Sequence, residues 1–208
     1  MREKTLLILS GGMDSSTLLY HLLDMGHKVE ALSFDYLQRH RRELDSAKRI
    51  CELTNVPHEI LQIPALTGSA LTFDKDVPHG HYEEESMKDT VVPNRNMVML
   101  AHAASTAIAR GHDNVAYGCH HGDHAIYPDC RAEFVAAMSQ AFALCDWKEI
   151  KLLTPFLTWD KGAIARRGAE LEVPFELTWT CYEGGEEPCG KCGACVERAE
   201  AMATINAA

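Results

Sequence analysis

The segment Ser10-Gly11-Gly12-Met13-Asp14-Ser15-Ser16 constrains this chain more than any other, because it joins the apolar run 5–9 directly to the helical stretch 17–25. A buried strand that turns through two glycines into a helix leaves backbone N–H groups unpaired at the helix start. The helix dipole adds partial positive charge there, so the turn is a ready cradle for phosphate. Glycine suits it because a residue without Cβ lets phosphate oxygens approach the main chain and tolerates unusual φ. Ser10, Ser15 and Ser16 add hydroxyl donors. Asp14, in the first helical turn, is placed either to cap the helix or to hold Mg²⁺ beside the phosphates.

Two commoner phosphate loops are excluded. A Walker A loop requires a lysine after its second glycine, and the dinucleotide fingerprint requires a third glycine where Ser15 stands. What remains resembles the pyrophosphate-loop signature Ser-Gly-Gly-x-Asp-Ser of the ATP pyrophosphatases, which cleave ATP between its α and β phosphates.

At 208 residues and 46% hydrophobic, the chain can bury one sizeable core, with room for one active site. No apolar run approaches the ~18–20 residues that span a bilayer, and no basic stretch followed by an apolar one opens the sequence. A cytoplasmic enzyme with no membrane partner is expected. Of eight cysteines, four are scattered and four crowd near the C-terminus, which suggests thiols in a reducing compartment. The net charge of −10 argues against a nucleic-acid partner, since phosphate-backbone binding needs clustered cations. The one basic cluster, Arg39, Arg41 and Arg42, is explained by a nucleotide ligand.

β-Branched apolar runs at 5–9, 29–34, 59–63, 114–117 and 150–153 alternate with helical periodicity near 13–25, 39–53, 95–110, 132–144 and 161–171. This rhythm predicts an α/β fold with a doubly wound parallel sheet of five strands, Rossmann-like in plan. Ligands of such sheets bind outside the carboxyl ends of the strands. Segment 66–90 has no clear periodicity and reads as a lid or, by a small margin, as a mobile surface connection.

Other constellations fall after the predicted strands. Residues 34–40 sit where a base or ribose edge would lie. Pro93 ends a loop, Asn94 can cap the helix that follows, and Arg95 in its first turn gains nothing from the dipole, which favours an anion-binding role. The loop 118–130 carries His120, His121, Asp123, His124, Tyr127 and Asp129. Either a second metal site or a pocket could use them, the pocket being preferred because the spacing is irregular; Asp123 or Asp129 could accept the paired N–H groups of a guanine-like edge. Cys181, Cys189, Cys192 and Cys195 are spaced Cys-x7-Cys-x2-Cys-x2-Cys, with Gly190 and Gly193 allowing tight turns. Four thiolates suit a closed tetrahedral Zn²⁺ site; an iron–sulfur run ordinarily ends Cys-x3-Cys-Pro, whereas a helix is predicted from Val196. Lys191 and Arg198 are near enough in sequence to offset the charge.

Together, Ser-Gly-Gly-x-Asp-Ser at 10–15, Phe-Asp-Tyr-x-Gln-Arg-His at 34–40, Val-Pro-x-Arg-Asn at 92–96, Tyr-Pro-Asp-Cys-Arg at 127–131 and the cysteine quartet resemble the 7-cyano-7-deazaguanine synthase family of the queuosine-precursor pathway. The resemblance implies an adenine nucleotide alpha-hydrolase-like fold, with a nucleotide-binding unit over 1–175 and a zinc segment over 176–208. It also implies ATP-driven conversion of 7-carboxy-7-deazaguanine and ammonia to the nitrile, a homodimer, and ATP, Mg²⁺ and Zn²⁺ as cofactors. ATP would be held by Leu9, Ser10, Gly11, Gly12, Met13, Asp14, Ser15, Ser16, Thr17, Leu18 and Leu19, and zinc by the four cysteines. Asp14, Ser15, Arg95 and Lys161 would serve catalysis, with Arg95 and Lys161 neutralising phosphate charge. Asp35, Tyr36, Gln38, Arg39, His40, Asp123, Tyr127 and Asp129 would contact substrate. The sequence departs from the family at Asn94, commonly glycine, and at Ala125-Ile126, commonly Ser-Gly, so an enzyme stopping at the amide, a non-catalytic nucleotide binder and a tRNA sulfurtransferase are the alternatives.

Overall fold

In the computed structural model, which describes residues 2–72 and 76–206, five strands form one sheet: β1 (Lys4–Ile8), β2 (Lys28–Asp35), β3 (His58–Gln62), β4 (Asn114–Ala116) and β5 (Lys151–Leu153). All pairs are parallel and the order is β3-β2-β1-β4-β5. Alternate residues face opposite sides of a strand, and β1 is apolar on both, with Leu6 and Leu7 fully buried. Leu6, Leu32, Phe34 and Val115 pack under α3 (Arg95–Arg110) and α4 (Ala132–Ala143) through Leu100, Ala103 and Phe142. Leu7, Ala31 and Ala116 pack under α1 (Met13–Asp24), α2 (Arg42–Thr54) and α5 (Lys161–Glu170) through Leu18, Leu22, Ile50 and Ile164. The doubly wound parallel sheet expected from the sequence is the one observed. Each buried leucine contributes about 1.5–3 kcal/mol.

The chain winds outward from β1 to β3 and then crosses to β4 on the other side of β1. The strand order therefore reverses between β1 and β4, and the crevice that opens at their carboxyl ends is the fold's natural ligand site. The two segments nearly touch there. A Cβ at Gly118, after β4, would stand 3.4 Å from the Ser15 backbone nitrogen.

Two expectations change. The helix predicted from residue 39 begins at Arg42, because Asp35 Oδ1 accepts the Leu37 N–H (3.2 Å) and Gln38 Oε1 accepts the Tyr36 N–H (3.0 Å), holding a loop with Leu37 at φ 60°. The expectation for segment 66–90 changes in part: many of its described residues are exposed, but several anchor it to the interior; 73–75 lie outside the described residues. Ala70, Leu71, Val77, Met87 and Thr90 are buried, a short 3₁₀ helix spans Glu85–Thr90, and an isolated antiparallel bridge joins His79 to Cys192.

The last helix, α6 (Gly193–Asn206), lies on α5, with Met13, Ala165, Val173, Phe175 and Ala201 in one cluster. Arg198 fastens it to the preceding loop by donating to Thr178 Oγ1 (2.6 Å), Thr180 Oγ1 (3.1 Å) and the Phe175 carbonyl (2.6 Å). Among the described residues, no helix is long and apolar enough to cross a membrane.

Candidate active site

A cavity of about 260 Å³ opens at the carboxyl end of the sheet, where the turn after β1 enters α1. Gly12 is the residue before the helix, with extended backbone and no side-chain cap on the exposed N–H groups. Ser10 Oγ and Ser15 Oγ are 3.0 Å apart and fix the turn, with Ser15 Oγ also accepting the Ser10 N–H at 3.2 Å. Gly12 and Gly11 play different parts. Gly12 lines the cavity, and a Cβ there would meet only the Ser10 hydroxyl, at 3.4 Å, and the Trp179 carbonyl, at 3.6 Å. Gly11 has φ +83°, and a Cβ would overlap the backbone of α2, 2.7 Å from Ala47 N and closer still to the Glu43 carbonyl. Its missing side chain serves helix packing. Ser16, Thr17, Leu18 and Leu19 are fully buried behind the turn, and the last two belong to the core.

Asp14 makes no cap. Its Oδ2 accepts from Lys161 Nζ at 2.8 Å, and Lys161, the first residue of α5, donates equally to Glu197 Oε2 of α6 at 2.8 Å. Asp160 positions that lysine by capping α5, accepting the Ala163 N–H at 2.6 Å. Asp14 Oδ1 is buried without a protein partner, an arrangement that fits a carboxylate kept for a hard cation. Burial pushes Asp14 up, but Lys161 and then His120 outweigh it and leave its carboxyl below the ordinary range. Burial likewise opposes the Lys161 charge, yet Asp14, Glu197 and Asp123 raise its pKa well above that of a free lysine.

Behind this pair sits His120, almost completely enclosed. Its Nδ1 accepts the Gly122 N–H (3.1 Å), and its Nε2 lies 3.7 Å from Asp14 Oδ2 and 3.5 Å from Asp123 Oδ2. Asp123, on the cavity wall, also receives the His120 N–H at 3.4 Å.

Arg95 stands in a second cluster with Tyr36, Tyr127, Tyr182 and Glu43. Burial opposes its charge, but Tyr36, Tyr127 and Cys130 raise its pKa beyond the usual arginine value. Tyr127 shares its hydroxyl with Thr90 (2.8 Å) and Tyr182 (3.0 Å), so the segment 66–90 and the cysteine-bearing segment both close on this side of the cavity. Glu43 is raised by burial, which Arg95 and Gln38 offset only in part. Burial pushes the Cys119 thiol up to about 12 and Cys130 higher still, so neither is a thiolate at neutral pH.

Of the other predicted substrate residues, Tyr36, Asp123 and Tyr127 line the cavity. Asp35 is buried in an ion pair with Arg41, and Gln38 Nε2 donates to the Phe34 carbonyl (3.2 Å) and to Glu43 Oε1 (3.0 Å). Arg39 lies 4.0 Å from Glu183, and His40 packs edge-on against Trp179. Asp129 Oδ2 accepts the Asn96 N–H at 3.0 Å, taking the capping role expected of Asn94, whose side chain makes no cap bond. Asn94 instead has φ +58°, the left-handed conformation in which asparagine is the usual substitute for glycine. Ile126 is buried in the cavity wall, whereas Ala125 is exposed. Sequence reading missed Glu43, Tyr182 and Glu197 altogether; the only signal for Glu197 was its place in the helix that begins beside the last cysteine.

The ligand atoms of Cys181, Cys189, Cys192 and Cys195 all lie within 4.8 Å of one another. The Cys189 N–H points at Cys181 Sγ and the Cys192 N–H at Cys189 Sγ, both at 3.3 Å, as thiolate ligands require. The four sulfurs fit a closed tetrahedral metal site. Lys191 is exposed, while Arg198 is turned toward Thr178 and Thr180.

Sheet order, crevice and glycine turn together define a PP-loop α/β protein of the adenine nucleotide alpha-hydrolase type. Solved structures agree at the level of fold. The U34-tRNA thiolase NcsA from Methanococcus maripaludis superposes with a TM-score of 0.56 at 15% identity, over 96% of this chain and 63% of that one. A 4-thiouridine synthetase bound to RNA and ATP gives 0.54 at 18% identity, over 98% and 50%. The family described as Queuosine biosynthesis protein QueC matches residues 4–206, and the chain belongs to it. A 7-cyano-7-deazaguanine synthase from Methanoregula boonei is 54% identical across 99% of this chain and 96% of its own length, and one from Alteromonas mediterranea is 51% identical across 97% and 94%.

Proposed function

We propose that this chain is an ATP-dependent carbon–nitrogen ligase that converts 7-carboxy-7-deazaguanine and ammonia to 7-cyano-7-deazaguanine. The observation that carries the reading is the pairing of an open α1 N-terminus with Asp14, whose one carboxylate oxygen is free and whose other is held by Lys161. A carboxylate is a poor electrophile because it would have to expel oxide. It therefore attacks the α-phosphorus of ATP, the α–β bridge breaks, and pyrophosphate leaves. Ammonia then adds to the acyl carbon, AMP departs with one oxygen, and loss of a proton gives the amide. A second ATP adenylates the amide oxygen; departure of AMP and of the N–H protons leaves the carbon–nitrogen triple bond.

The open N–H groups at the start of α1, with the hydroxyls of Ser10 and Ser15, would cradle pyrophosphate, and Lys161, released from Asp14 and Glu197 onto the phosphates, would neutralise the charge that develops there. Mg²⁺, which Asp14 would hold, supplies further neutralisation. Arg95, within the tyrosine cluster, is assigned to the substrate side. Zinc on the four cysteines is structural, with no ligand position left for water. A division into residues 1–175 and 176–208 on one core is supported by the shared α5–α6 cluster. We assign the enzyme to the cytoplasm, as a homodimer without a nucleic-acid partner.

The test is an end-point assay with the acid, ATP, Mg²⁺ and ammonium. Acid-dependent release of AMP and pyrophosphate is expected, with a product lighter than the amide by one water. ADP and orthophosphate as the nucleotide products would overturn the reading, and an amide end product would overturn the second half of it.

A further inference from the structure

Resting on that function, we infer that Glu43 is the residue that reads the paired N–H donors of the 2-amino-pyrimidinone edge of the substrate. Two other acids suggested themselves from sequence, and the structure occupies both. Asp129 accepts the Asn96 N–H at the start of α3 and, unlike Glu43, does not line the cavity. Asp123 belongs to the phosphate side, bonded to the His120 N–H and charge-coupled to Lys161. Glu43 lines the cavity with Tyr36 and Arg95. It projects from the first turn of α2, where the dipole steadies a carboxylate. Gln38 Nε2 donates to Oε1 at 3.0 Å. A carboxylate offers about four lone-pair sites, so most of its accepting capacity remains.

The chemistry selects among bases. Two adjacent N–H donors, as on a guanine-type ring, match the two oxygens of one carboxylate. An adenine edge offers a single amino donor beside a ring-nitrogen lone pair, which a carboxylate repels. Burial raises Glu43 and a donor pair would offset that penalty. The aromatic surfaces of Phe34, Tyr36 and Tyr127 on the same cavity suit a planar heterocycle.

Glu43→Gln turns one acceptor into a donor facing a donor. Its kcat/KM for 7-carboxy-7-deazaguanine should fall on the order of 10²-fold while KM for ATP stays within about twofold, since buried polar mismatches discriminate strongly. Wild type should prefer this acid over the analogue lacking the 2-amino group, and Glu43→Gln should lose that preference. Glu43→Asp, which keeps the acceptor pair but withdraws it, should fall between. Thermal melting and bound metal should match wild type, because the amide is isosteric with the carboxyl. Retained preference for the 2-amino substrate in a folded variant refutes the assignment, as does a rise confined to KM for ATP. If wild type itself neither binds nor turns over the acid, the proposed function falls first and this inference with it.

Discussion

Lys161→Met removes one charge from the centre of the site while keeping the length of the stem. Wild-type Lys161 is held between two carboxylates at 2.8 Å, with side-chain exposures of 11% for the lysine, 21% for Asp14 and 13% for Glu197. Breaking a buried ion pair by deleting one partner costs about 3–5 kcal/mol, because an uncompensated charge remains; the partial exposure of Asp14 places the expected loss near the lower end. For a domain of this size a kilocalorie moves Tm by about 2–4 °C, so the variant should melt roughly 6–12 °C below wild type at pH 8. The pH dependence is the sharper test. In wild type, Asp14 is depressed below its ordinary 3.8 and Lys161 is raised above its ordinary 10.5. The acid's contribution is present above 3.8 and is lost as pH falls through its folded value; the lysine's is present below 10.5 and is lost as pH rises through its folded value. The pair therefore stabilises across the whole neutral range. In the variant, burial acts on Asp14 without the lysine that most opposed it, so the Asp14 carboxyl titrates higher than in wild type and the deficit shrinks as pH falls. Thermal melts of both proteins between pH 5 and 8 should show the deficit shrinking toward pH 5, and pyrophosphate release should drop about 10²–10³-fold at neutral pH. A deficit that is flat across that range would refute the electrostatic account.

Gly11→Ala should cost about 3 kcal/mol, from overlap with the α2 backbone and from left-handed strain, read as a lowered urea midpoint; a change under 1 kcal/mol would show that α2 yields easily. Asn94→Gly should alter stability by less than about 1 kcal/mol and leave the product unchanged, since Asn94 already holds φ +58° and lies on the surface. A switch between amide and nitrile in that variant would instead give position 94 a chemical role. Stripping the metal with a chelator should lose on the order of 10 kcal/mol of local folding energy. Because Trp179 Nε1 donates to the Cys181 carbonyl at 3.0 Å, its fluorescence should shift and should return with Zn²⁺. An unshifted spectrum with the metal gone would mean the segment holds without it.

The sheet was legible because its determinants are local. Leu6-Leu7 and the runs in β2 and β4 carry their burial in their own sequence, and the glycines after β1 announce the turn. Segment 66–90 was not legible, since Val77 is buried among cysteines more than a hundred residues away and His79 bridges to Cys192; no periodicity records such anchors. In the site, Asp14 and Lys161 were readable as chemical types, but their 2.8 Å bond spans 147 positions. Polar residues that looked free for ligand were recruited locally. Asp35 and Gln38 stabilise their own loop, and Asp129 caps α3. Glu43 and Glu197 ran the other way. Each reads as an ordinary charged helix residue until the fold turns it into the cavity.

That asymmetry has a physical origin in the way the C-terminal segment is mounted. A short cradle after β1 supplies N–H donors but cannot fix a cation opposite them, and Lys161 has four rotatable bonds to immobilise. Glu197 provides the second anchor, and its own position depends on α6, which is fastened by Arg198 at one side and begins within the cysteine cluster at the other. Tyr182, from the same segment, closes the Arg95 cluster through Tyr127. The cysteine-bearing segment thus orders residues on both sides of the cavity. Its loss should lower kcat through Lys161 and raise substrate KM through Tyr182, whereas a purely scaffolding segment would change only the melting temperature.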